Sequence, residues 1–405
     1  MSEISGSSPR ERSLSDAPDA IAAIAARAEI RRIHLLAWRD LDDGDAGGSE
    51  VHASTVAAHW AEAGLEITMR TSAAPSFPAR STRDGYAVVR RGGRYDVFPR
   101  AILSELAGRH GPRDGLVEIW NGVPFLSPLW ARGPRVTWIH HVHEDMWPMV
   151  LPAPLARIGQ LMERRVAPPF YRRTPIVTLS ESSKDHIVNR MNLPADNIHV
   201  VSPGIANTFV PGVRALTPSV LAVGRLMPPK AFPRLIAAMA RVRLAVPAAT
   251  LTIVGEGPER ATLETVIADA DAHSWCTLAG RVSDTELLKL YQQAWVVASA
   301  STAEGWGMSI TEAAACATPA VATRIPGHRD AIVDARTGYL IDTDDDMDRA
   351  LVQLLNDHDL RARFGQAALE QSHAYSWART ARRTLEVLAG TRRKPGAVSQ
   401  EAGTP

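Results

Sequence analysis

Glu304 and Glu312 stand on either side of Gly305-Trp306-Gly307-Met308-Ser309-Ile310-Thr311. Glu304 follows an apolar run, 294–300, that reads as a strand ending in a Ser/Thr loop. Glu312 falls about one turn inside a helix predicted to open near Gly307. The first N–H groups of such a helix lack an intrahelical acceptor and point outward, so an anion docks there. Phosphate over Met308, Ser309 and Ile310, with sugar hydroxyls donating to the two carboxylates, is the chemistry of a nucleotide-sugar site.

A second motif complements the first. Gly224-Arg225-Leu226-Met227-Pro228-Pro229-Lys230 leaves the end of a predicted strand, 219–223. Two fixed cations there neutralise a diphosphate whose negative charge grows as a sugar departs. With that charge supplied by side chains, no cofactor and no metal ion are expected. The acidic run Asp342-Thr343-Asp344-Asp345-Asp346 reads as the cap of the following helix, where carboxylates favour the positive end of the dipole.

Gly47-Gly48-Ser49-Glu50 opens the first long helix, and its glycines let backbone approach a ligand closely. It is not the G-x-G-x-x-G dinucleotide fingerprint. His140-His141-Val142-His143 follows the strand 135–139, and polar groups at a strand's carboxyl end sit in the crevice of an α/β sheet. Position after the strand favours His140, with His141 and His143 as near alternatives. Gly255-Glu256-Gly257 and Gly280-Arg281-Val282 also follow strands, as ligand loops or as plain strand-to-helix turns.

The elements that must position these residues alternate in type. Strands are predicted at 33–37, 65–70, 116–120, 135–139 and 176–179, with helices at 48–64 and 182–191, Ser180 or Ser182 capping the latter. The Pro/Gly-rich stretch 202–212 then breaks the pattern. The alternation restarts with strands at 219–223, 251–254, 276–278, 296–299 and 320–323. Two doubly wound halves with a cleft between them follow. The expected division is a disordered leader 1–28, a first domain 29–207, a second domain 208–374, a final helix within 375–390 and a disordered tail 391–405.

Composition agrees with a soluble globular protein. Hydrophobic residues make up 45% and charged residues 22%, and the net charge of +1 gives no global field for nucleic acid. Cys276 and Cys316 lie in separate apolar segments, as reduced thiols of a cytoplasmic protein do. No apolar run is long enough to span a membrane. Five arginines between Arg157 and Arg173 alternate with Ile158, Leu161, Met162, Val166, Phe170 and Tyr171. That stretch is either a helix packed on its own sheet with a solvated basic face, or a peripheral contact with the inner face of a membrane.

The loops, in this order, resemble those of family-4 retaining glycosyltransferases, whose Glu-x7-Glu signature matches Glu304 to Glu312. The resemblance runs over about 33–388 and implies the GT-B fold, two Rossmann-like domains facing a central cleft. It implies a nucleotide diphosphate sugar, such as a UDP- or GDP-sugar, as donor, and a sugar, lipid-linked or small-molecule hydroxyl as acceptor. In this family pattern Glu304 holds the donor sugar, Glu312 the ribose, and Arg225 and Lys230 the departing diphosphate. Gly47 and Gly48 face the phosphates, a histidine touches the sugar, the backbone of Arg281 and Val282 holds the base, and the last helix crosses back to the first domain. Ala231 stands where the family more often has glycine. The alternatives are a phosphorylase- or synthase-type enzyme of the same fold and a catalytically silent nucleotide-sugar binder.

Overall fold

The computed structural model describes residues 17–391. Its first sheet holds β1 (Arg32–Leu36), β2 (Glu66–Thr71), β3 (Arg80–Arg83), β4 (Tyr86–Arg90), β5 (Gly115–Ile119), β6 (Arg135–Trp138), β7 (Ile176–Thr178) and β8 (Ile198–Val200). The order is β3-β4-β2-β1-β5-β6-β7-β8, parallel except for the β3–β4 hairpin. The helices that matter most to the site are α1 (Ala17–Arg27), α2 (Gly48–Glu62), α3 (Ala153–Leu161) and α4 (Glu181–Met191). Ser180 caps α4, its hydroxyl accepting from Ser183 N–H.

The second sheet holds β9 (Ser219–Val223), β10 (Thr250–Val254), β11 (Cys276–Gly280), β12 (Val296–Ser299), β13 (Ala320–Thr323) and β14 (Gly338–Ile341). Its order is β11-β10-β9-β12-β13-β14, all parallel. Beside it lie α5 (Asp284–Gln293), α6 (Met308–Ala315) and α7 (Asp344–Asn356), and α8 (Trp377–Gly390) follows. The sheet is covered by an apolar cluster that includes Val220, Ile236, Met239, Leu251, Ile253 and Leu351. Thr343 and Asp346 form a reciprocal cap at α7, while Asp342 pairs with Arg324 and Asp344 with Arg234, so the acidic run is engaged in capping and ion pairs.

Both strand orders reverse direction once, between β1 and β5 and between β9 and β12. At such a switch point the loops leaving the carboxyl ends diverge and open a crevice. The loop after β1 leads to Gly47-Gly48, that after β9 carries Arg225 and Lys230, and that after β12 carries Glu304.

One boundary differs from expectation. Residues 17–27, expected within the unfolded leader, form α1 and bury Ile21, Ile24 and Ala25. Their partner is α8, whose Ala381, Leu385 and Leu388 belong to the same cluster as Trp60 of α2. The Trp60 Nε1–H donates to Ala381 O at 2.9 Å. An Ala-rich segment gains a helix here because a remote amphipathic helix supplies its other half. The rest of the expected leader, and the expected tail from 392 on, lie outside the described residues.

The chain passes from the first domain to the second near Gly204 and returns just before Trp377. The passages touch. Ile205 pairs with Ser376 in a parallel bridge, and Gly204 lies so close to Trp377 N that a Cβ would overlap it.

Candidate functional site

The site begins at the opening of α6. Gly307 adopts φ +96°, a left-handed turn that L side chains rarely enter, and swings the chain from the Glu304 loop into the helix. The N–H groups of Met308 and Ser309 have no intrahelical acceptor there, whereas that of Ile310, expected with them, donates to Gly307 O at 3.0 Å. Across the cleft lies the opening of α2. Glu50 fixes that turn by accepting from Gly47 N–H at 2.8 Å, and Arg39, 7% exposed, approaches the same carboxylate at 3.5 Å. A Cβ placed on Gly48 would come 3.1 Å from Met308 Sδ. Two helix N-termini thus oppose each other, their positive dipole ends converging on one region.

Arg225 and Lys230 complete that electropositive region. Arg225 Nη1 donates to Asp45 O at 2.7 Å, and Arg281 Nη2 to Gly44 O at 2.9 Å, so both second-domain arginines reach the first-domain loop. Burial, then the like charge of Arg39, lower the Arg225 pKa. Two guanidinium groups that disfavour each other across a cleft are relieved by an anion between them.

Lys230 Nζ forms an ion pair with Glu304 Oε1, which also accepts from Ser301 Oγ at 2.9 Å. Burial pushes the Glu304 carboxyl up. The Lys230 ammonium and these hydrogen bonds outweigh it and hold the group below its usual range, as a carboxylate. Glu312 is set differently. Tyr291 Oη donates to its Oε2 at 2.7 Å, yet burial dominates and pushes this carboxyl up to about 7. The two glutamates share a motif but not a charge state.

The structure separates the three histidines. His140, favoured from the sequence, is 5% exposed, with Nε2 at 3.1 Å from His52 Nδ1, and its Nδ1 has no partner. His141 is the ring on which the charges of Glu304 and Lys230 act, and burial lowers its pKa to about 3. His143 turns to Glu163, whose carboxylate also accepts from the backbone N–H of His143 and Glu144 and from Trp147 Nε1–H. Arg225, Lys230, Glu304, Gly47, Gly48 and the α6 opening are therefore brought together, with His141 beside them and His140 behind.

Sequence reasoning missed three supports. His328 is buried beneath Gly307, its Nδ1 at 2.9 Å from Thr323 O and its Nε2 at 3.3 Å from Ser299 Oγ. Ser180 and Ser183 donate across the domains to Gly305 O at 3.3 and 3.1 Å. Tyr291 positions Glu312. None sits in a motif; only the Gly327-His328 step after β13 carries a signal. Gly224, Gly255 and Gly257 pack backbone to backbone behind the Arg225 loop, and Gly280, Arg281 and Val282 continue from the end of β11 at the same edge. Two surface hollows of about 430 and 460 Å³ lie elsewhere, at residues 352–359 and at the β3–β4 edge.

Family models and known proteins match most of this chain. The family described as Glycosyltransferase Family 4 matches residues 46–208, and that described as Glycosyl transferases group 1 matches residues 209–371. A D-inositol 3-phosphate glycosyltransferase of Pseudarthrobacter chlorophenolicus is 29% identical, over 90% of this chain and 95% of its own length. A GDP-mannose-dependent alpha-(1-6)-phosphatidylinositol monomannoside mannosyltransferase of Mycolicibacterium smegmatis is 27% identical, over 79% of this chain and 88% of its own. Among solved structures, a sucrose-phosphate synthase from Thermosynechococcus elongatus superimposes with a TM-score of 0.75 at 18% identity. The superposition covers 87% of this chain and 97% of that one and shows a shared GT-B fold.

Proposed function

The chain belongs to glycosyltransferase family 4, and from that membership we propose that it moves a sugar from a UDP- or GDP-sugar to an acceptor hydroxyl with retention at the anomeric carbon. The carrying observation is the convergence of the Lys230–Glu304 pair, Arg225 and two opposed helix openings on one region. The donor diphosphate lies over Met308 and Ser309, and Arg225 and Lys230 offset the charge that develops as the bond from sugar C1 to phosphate oxygen breaks. Glu304 accepts from donor sugar hydroxyls, and Glu312 from the ribose. The acceptor oxygen bonds C1 on the face the phosphate leaves, and its proton passes to a departing phosphate oxygen. His141 takes the sugar-facing place that sequence order favoured for His140, and His140 Nδ1 is the alternative. Arg281 and Val282 offer backbone to the base.

The names of the relatives support a sugar or polyol hydroxyl as acceptor and a nucleotide sugar such as GDP-mannose as donor. The charge at the diphosphate comes from the chain's own cations, so no divalent ion is needed. Incubation with UDP- and GDP-sugars in EDTA, followed by proton NMR, tests these points together. Slow donor hydrolysis with an α-linked donor giving an α-product is expected. An inverted product removes the retaining mechanism. Activity restored only by Mg²⁺ or Mn²⁺ removes metal independence, and no turnover of any donor removes the enzymatic reading.

A further inference from the structure

Most large apolar side chains of the first domain are inside. The exceptions are densest in one segment, although Tyr95, Leu103, Leu106 and Leu129 are exposed elsewhere in the domain. Met149, Leu155, Ile158, Leu161, Val166 and Phe170 are all between 43% and 60% exposed within one short stretch. They lie on and around α3 and the wider turn Met162–Val166 that continues it. α3 buries Ala156 and Gly159 against the domain, and Ile158 and Leu161 fall on its outer face.

Charge is distributed in the same way. Arg157, Arg164, Arg165, Arg172 and Arg173 are exposed on this segment. The acidic residue among them, Glu163, is 1% exposed and turned inward to the His143–Trp147 loop. Arg164 makes a partner of Glu144 at 3.6 Å from the neighbouring turn; the others make no ion pair among the described residues. Aliphatic side chains interleaved with guanidinium groups, with no exposed carboxylate on the segment, match a surface that is apolar below and anionic at its edge. A bilayer with acidic headgroups has that profile.

We infer that the segment from Met149 to Arg173 is a docking surface for an anionic lipid bilayer, which sets the mouth of the cleft at headgroup level. Its place in the fold gives this a purpose. The turn Trp147–Val150 lies against the Pro228–Lys230 turn of the second domain. Through Glu163 the inner side of the segment also holds the backbone of His143 and Glu144 beside the cleft. A protein seated by this face presents the Lys230–Glu304 side of the cleft to hydroxyl groups carried at the membrane surface. This consequence rests on the transfer reaction proposed above; the docking itself does not.

The test is co-sedimentation of the full chain with vesicles of phosphatidylglycerol and phosphatidylcholine, and with pure phosphatidylcholine vesicles. Binding to the anionic vesicles that weakens with salt is expected, with little binding to the neutral ones. The double variants Ile158→Ser/Leu161→Ser and Arg165→Glu/Arg172→Glu each lower the partition coefficient at least about tenfold, because each removes apolar insertion or headgroup attraction. Their melting temperatures stay at the parent value, since these side chains are exposed. Equal sedimentation of parent and both variants overturns the inference, as does equal binding to neutral vesicles. A parent dimer that Ile158→Ser/Leu161→Ser converts to a monomer, without vesicle binding, assigns the face to a second copy instead. Donor hydrolysis in lipid-free solution is measured alongside. Its absence sinks the transfer reaction and leaves the vesicle result to be judged separately.

Discussion

Lys230 pairs with Glu304, and the proposed transfer divides two jobs between them. In the proposed transfer the ammonium would turn to the growing phosphate charge at the α6 opening and the carboxylate to sugar hydroxyls. Lys230→Ala and Arg225→Ala should each lower kcat by about 10²–10³, the usual cost of one lost charge-stabilising group. Circular dichroism should show both variants folded, and parental turnover in either would take that cation out of the mechanism. Glu312 leads to a pH effect. Burial raises its carboxyl from 4.5 to about 7, so the fold favours the protonated form. Its contribution to stability is full below the unfolded value and declines as pH climbs through about 7. Glu312→Gln should flatten that part of the melting-temperature profile. A ribose hydroxyl donating to the carboxylate favours the charged form. Nucleotide affinity should then rise about tenfold per pH unit below about pH 7 and level off above it. Calorimetry that finds affinity independent of pH would contradict this assignment of Glu312.

Helix openings are the elements on which the site depends. A Cβ on Gly48 meets only the flexible end of Met308, at 3.1 Å, so a methyl group needs a small shift of that side chain and a larger group reaches between the two helix openings. Gly48→Leu should weaken donor binding at least about tenfold while stability changes little, because its side chain enters the space between the dipole ends rather than a core. Isothermal titration and thermal melts read the two effects apart, and an unchanged Kd would move the phosphates elsewhere. Most of these elements are legible in the sequence because buried parallel strands read as short apolar runs and the turns after them carry Gly, Pro and charge. β3 and β4 escaped that reading. β3 is the polar Arg80-Ser81-Thr82-Arg83, and the usable signal was its turn, Asp84-Gly85, where both residues take positive φ. α1 escaped because its apolar face has meaning only against α8, at the far end of the chain. The histidines could not be ordered because side-chain alternation ends with the strand. Past Trp138 the loop alone decides which ring turns inward.

At the scale of the whole molecule, Arg225, Arg281, Ser180 and Ser183 hydrogen-bond across the two domains, so a donor bound there as proposed would favour their approach. Saturating donor should lower the radius of gyration in small-angle scattering, and an unchanged value would favour a rigid cleft. The contact of Ile205 with Ser376, and of Gly204 with Trp377, bears on how such a motion runs. Two separate tethers would let the second domain twist and slide. Two strands of chain fastened side by side behave as a single pin, leaving rotation about one axis as the easy movement. With such a pin, α1 and α8 would stay together on the first domain while the second swings like a gate. Gly204→Ala pushes a methyl group into the backbone at that pin, far from any phosphate. It should alter kcat and KM together, as hinge changes do, in a protein whose Arg225, Lys230 and Glu304 are untouched.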